Sequence, residues 1–259
     1  RTGCGATGMS KPPNRMSTGG NGSGSTDDPL PRPQLEAQCA GVLDKLQDGG
    51  VAILPLDVAY AVIAQREEGI RRIFTAKRRS YEKPSGMFGD WSLSREVHLM
   101  DDDRHEMVRV IVEEEKMPFS VVAPFRPDHP IFADVEPFVL ASSSKQGTLD
   151  MLLNAGQFHD EIARQSRQRG LPVFGSSANT SLAGSKYRFA DIEPEVREAA
   201  DIFIDHGQSK YANDQGRSST IIDFSDFTVV RVGVCFDRLV AAFRDRFDVN
   251  LTITERTAR

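Results

Sequence analysis

From Pro33 to Phe247 the chain switches repeatedly between two spacings of apolar residues. In QLEAQCAGVLDKLQDGG, Leu35, Cys39, Val42, Leu43 and Leu46 recur three and four apart, which puts them on one helix face, and Gly49-Gly50 ends the run. VAILP follows as a short buried strand. EEGIRRIFTAKRR returns to helical spacing, with Ile70, Ile73 and Phe74 toward the core. FSVVAPF and TLDMLL read as strands, HDEIARQSRQRG as a helix closed by Gly170, and LPVFGSS, ADIFIDHG, STIIDFS and FTVVRVG as strands. The last two suit an antiparallel pair across a Ser-Asp turn, and DRLVAAFRDRF is the closing helix. Strands and helices interleave without a strict βαβ rhythm, which predicts one α/β domain built on a twisted mixed sheet.

The opening breaks the pattern. MSTGGNGSGSTDDPLPRP is rich in glycine, serine and proline without an apolar period, so residues 1–32 are expected to be a disordered tail. The domain then covers 33–246, with 247–259 as a C-terminal extension. With 259 residues, 39% of them hydrophobic and 27% charged, the chain can bury a sizeable core. A net charge of -5 argues against a protein that coats nucleic acid, while leaving room for a local basic groove. Apolar runs such as VAILPL are too short to span a bilayer, and no signal-peptide core is present, so the expected location is cytoplasmic, away from membranes. Cys4, Cys39 and Cys235 lie far apart without a CxxC pair, which predicts neither a disulfide framework nor a protein-held metal. From Pro33 onward neither GxGxxG nor GxxxxGK[ST] occurs, so a dinucleotide fold and a P-loop are both unsupported.

Four segments could carry chemistry. RRIFTAKRRSYEKP gathers Arg71, Arg72, Lys77, Arg78, Arg79 and Lys83 against the single acid Glu82. Lys77 and Arg79 stand two apart where the helix breaks and can converge on a phosphate; a solvated helix end is the alternative. GSSANTSLAG sets Ser177 and Asn179 at the end of a buried strand, where they either hold a ligand or cap the next segment. GRSSTIIDF opens a strand with Ser218, Ser219 and Thr220, and VVRVG puts Arg231 inside an apolar strand ahead of Gly233. A buried arginine there needs an anionic partner; one that reaches the surface does not.

Taken in order, GGVAILPLDVAYAV, IFTAKRRSYEKP, GSSANTSLAG, GRSSTIIDF and VVRVG resemble the YrdC family, the threonylcarbamoyl-AMP synthases, over about Leu35 to Gly233. The resemblance implies a single YrdC-like domain with a concave basic cavity. It also implies condensation of L-threonine, bicarbonate and ATP into threonylcarbamoyl-adenylate and pyrophosphate, with Mg2+ on the leaving group, as a step in tRNA t6A modification. Partners would be ATP, an amino acid, bicarbonate, and a tRNA or the t6A-transfer machinery. By position, Lys77 and Arg79 match the family's K-x-R pair and are the catalytic candidates. Ser177 and Asn179 match the S-A-N motif, Ser219 the serine of S-T-[IV]-[IV]-D and Arg231 the arginine of R-x-G, all on the nucleotide side.

The match also departs. In PLDVAYAV, Leu56 and Val58 stand where the family has two threonines of the amino-acid pocket; Tyr60 is kept and Ala61 replaces a glycine. Leu152 stands where an arginine is usual. The nucleotide half is thus retained and the substrate-binding half, Leu56, Val58 and Tyr60, altered. This pattern suits a synthase with a changed acceptor, or a catalytically weak homologue that binds nucleotide or RNA in the basic cavity. A third reading, another carbamoyl-adenylate chemistry, would require a separate transfer partner.

Overall fold

The structure is a computed structural model that describes residues 16–17 and 24–253. Its strands in chain order are β1 (Met16–Ser17), β2 (Ala52–Leu54), β3 (Ala61–Ala64), β4 (Gly86–Phe88), β5 (Phe119–Pro124), β6 (Ser144–Lys145), β7 (Thr148–Leu153), β8 (Phe174–Ser177), β9 (Ile202–Phe203), β10 (Ile221–Asp223), β11 (Thr228–Arg231) and β12 (Thr252–Ile253). The helices are α1 (Arg32–Gln47), α2 (Glu67–Ala76), α3 (Trp91–Val97), α4 (Asp102–Arg109), α5 (Pro137–Ser143), α6 (Gln157–Gln168), α7 (Pro194–Glu198) and α8 (Phe236–Phe247). The strands form one mixed sheet in the order β1-β9-β2-β3-β8-β4-β7-β5-β10-β11-β12, with β6 hanging on β7. Antiparallel pairs such as β3/β8 and β5/β7 sit beside parallel ones such as β4/β7 and β5/β10. The α/β class and the mixed sheet expected from the periodicity are those observed.

The helical apolar spacing of α1 buries Cys39, Val42, Leu43 and Leu46, as read from the sequence. The helix α6 ends where Gly170 takes a φ of +69°, a backbone setting that glycine enters without steric cost. The β10/β11 hairpin is antiparallel, with Asp223 opposite Thr228.

Two hydrophobic layers divide the sheet's faces. Phe174, Met87, Met151, Val121 and Ile222 point to the larger layer, which takes its helix residues from α2–α5, α7 and α8. Among the described residues the opposite face meets only the helices α1 and α6, through Ala61, Ile63 and Phe88, and this smaller layer includes no residue of β5, β10 or β11. That half of the face therefore stays free of helix. Along β7 the alternation is strict: Leu149, Met151 and Leu153 are buried, while Thr148, Asp150 and Leu152 are half-buried on the opposite side, Thr148 and Asp150 where it is free of helix and Leu152 against the smaller layer.

The ends of the chain depart from expectation. Thr26 is buried; its Oγ1 accepts from the Lys210 backbone N–H at 3.0 Å, and its carbonyl accepts from Gln157 Nε2 at 3.0 Å. Lys210 Nζ pairs with Asp27 at 2.8 Å, and the Leu30 N–H donates to Gln157 Oε1 at 3.0 Å. Residues 24–31 thus form a strap held by polar contacts, which leave no hydrophobic period to read. Within the expected extension, β12 pairs with β11, and Phe247, Val249 and Leu251 pack on the larger layer. The rest of the expected tail (1–15 and 18–23) and residues 254–259 lie outside the described residues.

Candidate functional site

The basic segment after α2 separates into two kinds of cation. Arg71 pairs with Glu67, Arg72 with Asp201 and Arg78 with Glu195, so these three belong to the surface. Lys77 caps the helix, and Arg78 then adopts a φ of +50°, a left-handed step that ends the helical path. Lys77 turns inward. It is 1% exposed, and its ammonium donates to the carbonyls of Ser177 and Asn179. Its own carbonyl accepts from the Ser181 N–H at 3.0 Å. Burial, and then the neighbouring Arg79, bring its pKa down to about 7, with Glu193 opposing. The two carbonyl acceptors also favour the charged form. Lys77 therefore fixes the end of β8 from beneath, and its charge is directed at the loop.

That loop carries the serine and asparagine singled out in the sequence. Asn179 is buried; its Nδ2 donates to the Thr180 carbonyl at 2.6 Å, and its Oδ1 is enclosed without a hydrogen-bond partner. Its backbone N–H donates to the Ser177 carbonyl at 2.9 Å, so the two residues face one another across a tight turn. An enclosed amide oxygen left unpaired costs on the order of 1–3 kcal/mol until something donates to it.

Arg79 lies on the other side of Lys77. Its Nε donates to the Lys83 carbonyl at 2.9 Å and its Nη2 to the Pro84 carbonyl at 2.7 Å. Arg231, from the end of β11, grips Ser219: Nη2 donates to the Ser219 carbonyl at 2.8 Å and to its Oγ at 2.9 Å, and Nε to the same carbonyl at 3.0 Å. Both guanidiniums are held below their ordinary pKa, first by burial; Arg231 adds to the effect at Arg79, and Asp150 opposes it at both. Arg231 is surrounded by protein yet keeps broad contact with solvent, as a side chain on the wall of a concavity does. Among the described residues, no carboxylate stands in ion-pair contact with either arginine, whereas Arg109 and Arg167 elsewhere pair with Glu106 and Glu96. Arginines anchored on neutral carbonyls keep their charge for an incoming anion.

The hydroxyls of GRSSTIIDF divide their work. Thr220 Oγ1 donates to the Val234 carbonyl at 2.9 Å and accepts from the Gly233 N–H at 3.1 Å, so it is a structural tie. Gly233 is required by this crossing, since a Cβ there would stand 2.2 Å from the Ser218 carbonyl oxygen. The close approach at Gly233 is thus made by the chain's own backbone.

Two groups of this cluster were missed in the sequence. Asp150 lies on the helix-free side of β7, and Ser120 on β5 has its Oγ 3.5 Å from Ser219 Oγ. Burial raises the Asp150 pKa, opposed by Arg231, the Ser120 hydroxyl and Arg79, and its Oδ1 has no hydrogen-bond partner. An acid inside the apolar run TLDMLL, out of phase with the buried positions, was the available signal.

The amino-acid half is placed differently from expectation. Leu56 and Val58 are each 2% exposed and pack in the smaller hydrophobic layer with α1 and α6, so neither lines open space. Leu152 packs on the same layer, together with Leu30 of the strap, Tyr211 and Cys235. Tyr60 is fully buried; its hydroxyl stands 2.9 Å from Asp205 Oδ1 and 2.8 Å from the Gly207 carbonyl, and it ties down the 205–207 loop. The three apolar departures noted in the sequence thus converge in one packed layer. A cavity of about 430 Å³ lies elsewhere, beside Leu99, Met100, Arg104 and Phe224, and includes none of these residues.

Comparison with known proteins places this arrangement in a family. The Sua5/YciO/YrdC family, described under telomere recombination, matches residues 44–233. The chain belongs to that family. A search of curated proteins finds no match. Among solved structures, a hypothetical protein, smu.1377c, from Streptococcus mutans UA159 superposes with a TM-score of 0.68 at 15% identity, over 92% of this chain and 98% of that one. P. abyssi Sua5 complexed with L-threonine gives 0.65 at 16% identity, over 93% of this chain and 62% of that one. E. coli YciO gives 0.59 at 19% identity, over 85% and 97%. At these identities the likeness is one of fold.

Proposed function

We propose that this protein is an ATP-dependent enzyme of the threonylcarbamoyl-AMP synthase type, with its nucleotide held between Arg79, Arg231 and the Ser177–Asn179 loop. The observation that carries the reading is the chain of neighbours Asn179–Lys77–Arg79–Arg231–Ser219, assembled from four separate segments. Arg79 and Arg231 would meet phosphate oxygens, Ser219 and Asn179 would offer hydrogen bonds, and Lys77 would hold the loop in place. In the reaction, the amino nitrogen of an amino acid adds to bicarbonate with loss of water. The resulting carbamate oxygen then attacks the α-phosphorus and displaces pyrophosphate. Fixed cations stabilise the charge that gathers there. No group of three or more His, Cys, Asp or Glu side chains is placed to hold a metal among the described residues, so Mg2+ would arrive on the triphosphate.

The structural likeness to a Sua5 solved with L-threonine supports an amino acid as co-substrate. The packing of Leu56, Val58 and Leu152 into one apolar layer favours a second reading: a homologue that binds nucleotide, or an RNA carrying one, without turning over threonine. Where the product is consumed, a tRNA or its modifying machinery in the cytoplasm would be the partner. Pyrophosphate release from ATP and bicarbonate across a panel of amino acids separates the two readings. Release with any amino acid supports the first; ATP binding with no release under any amino acid supports the second.

A further inference from the structure

Asp150 has no part in the reading above. It sits on the helix-free side of β7, opposite Val122 of β5 and near β4, where a Cβ on Gly86 would lie 3.5 Å from its Oδ2. Its carboxylate acts on both Arg79 and Arg231, yet neither arginine is in ion-pair contact with it; both are anchored on backbone carbonyls instead. Its Oδ1 is enclosed and has no hydrogen-bond partner. A carboxylate kept near two guanidiniums, but bonded to neither, leaves them free to bind while it repels additional negative charge. Lys77 gives its charge to the carbonyls of the β8 loop; with Asp150 ionised beside them, two guanidinium charges and one carboxylate charge sum to a single net positive charge. Such a site is balanced by one negative charge, and the repulsion is felt strongly where protein excludes water.

We propose that Asp150 sets the charge of the ligand this cleft accepts, favouring an adenylate whose phosphorus bears one negative charge, such as a phosphodiester or an acyl-adenylate anhydride, over a triphosphate. This rests on the cleft being a nucleotide site and adds the class of nucleotide it retains. It assigns Asp150 as a specificity-determining residue and gives the helix-free side of the sheet a reason to carry an acid beside its two arginines.

The test is calorimetric titration, without magnesium, of ATP, inorganic pyrophosphate and the methyl phosphodiester of AMP against the wild-type protein and Asp150→Asn. Asparagine preserves the shape and removes only the charge. The wild type should bind the phosphodiester at least as tightly as ATP. Asp150→Asn should tighten ATP and pyrophosphate about tenfold or more, equivalent to about 1.4 kcal/mol, and change the phosphodiester far less. An unchanged preference in a folded Asp150→Asn protein overturns the proposal, as does a change caused wholly by weaker phosphodiester binding. Should that variant fail to fold, a wild type that binds ATP tenfold tighter than the phosphodiester overturns it alone. Failure of all three ligands to bind either protein removes the nucleotide site itself, whereas binding with unaltered preference removes only the role of Asp150.

Discussion

Lys77 and Asn179, 102 residues apart in sequence, are joined by a hydrogen bond from the lysine ammonium to the asparagine carbonyl. The bond converts the end of β8 into a fixed loop and explains why a fully buried cation is tolerated. Its partners are peptide carbonyls, whose dipoles replace part of the lost hydration.

This burial makes stability depend on pH. The folded pKa of Lys77, about 7, lies below the ordinary lysine value of 10.5, so between these values the unfolded chain binds the extra proton. Stability should therefore rise from pH 7 toward pH 10. Lys77→Met should flatten that limb while leaving the Asn179 carbonyl without its ammonium donor and the Ser177 carbonyl with the Asn179 N–H alone. Urea denaturation of both proteins across this range checks the point; parallel profiles would mean that Lys77 stays charged throughout.

Arg79→Ala and Arg231→Ala should each weaken ATP binding by about 10–100-fold, the range expected for losing a hydrogen bond to a charged group. Melting temperatures should move little for Arg79→Ala, whose bonds are local to 83–84. They should move more for Arg231→Ala, which frees Ser219. Calorimetry with thermal melts reads both, and unchanged ATP affinity in the two variants would return the arginines to a structural role.

Restoring family-like hydroxyls should not restore a threonine pocket. Because Leu56 and Val58 are enclosed in the layer under α1 and α6, Leu56→Thr and Val58→Thr should each cost about 1–3 kcal/mol through an unpaired buried hydroxyl. The double variant should lower the denaturation midpoint without adding pyrophosphate release. A gain in threonine-dependent release would show that the layer opens.

Gly233→Ala should disrupt the crossing of the 218–220 and 233–234 segments, because the new methyl would meet backbone at 2.2 Å rather than a movable side chain. The expected result is a lower melting temperature together with weaker ATP binding, since Arg231 is two residues away. A variant as stable as wild type would place the close approach in doubt.

Local pattern was enough for the helices α1, α2, α6 and α8, the strands β2, β5, β7 and β8, and the β10/β11 hairpin, because each carries its period within a single segment. It missed β3 and β4. Ala61–Ala64 is buried along its whole length and has no alternation, and Gly86–Phe88 is only three residues long. The candidate residues Lys77, Arg79, Ser177, Asn179, Ser219 and Arg231 were visible as short motifs, but their division of labour was not. Lys77 reads in sequence like its neighbours Arg78 and Arg79; a left-handed step at Arg78 and the packing of β8 turn it inward.

By itself the sequence determined the period of each element, the α/β class and the residue types available for an anion. Only the tertiary structure decided which cations keep their charge for a ligand, that Leu56, Val58 and Leu152 share one apolar layer, and that Asp150 lies near both arginines. The physical reason is that burial and electrostatic reach depend on distances between strands far apart in the chain. Periodicity specifies which way a side chain points from its own strand, and the sheet order specifies what it meets.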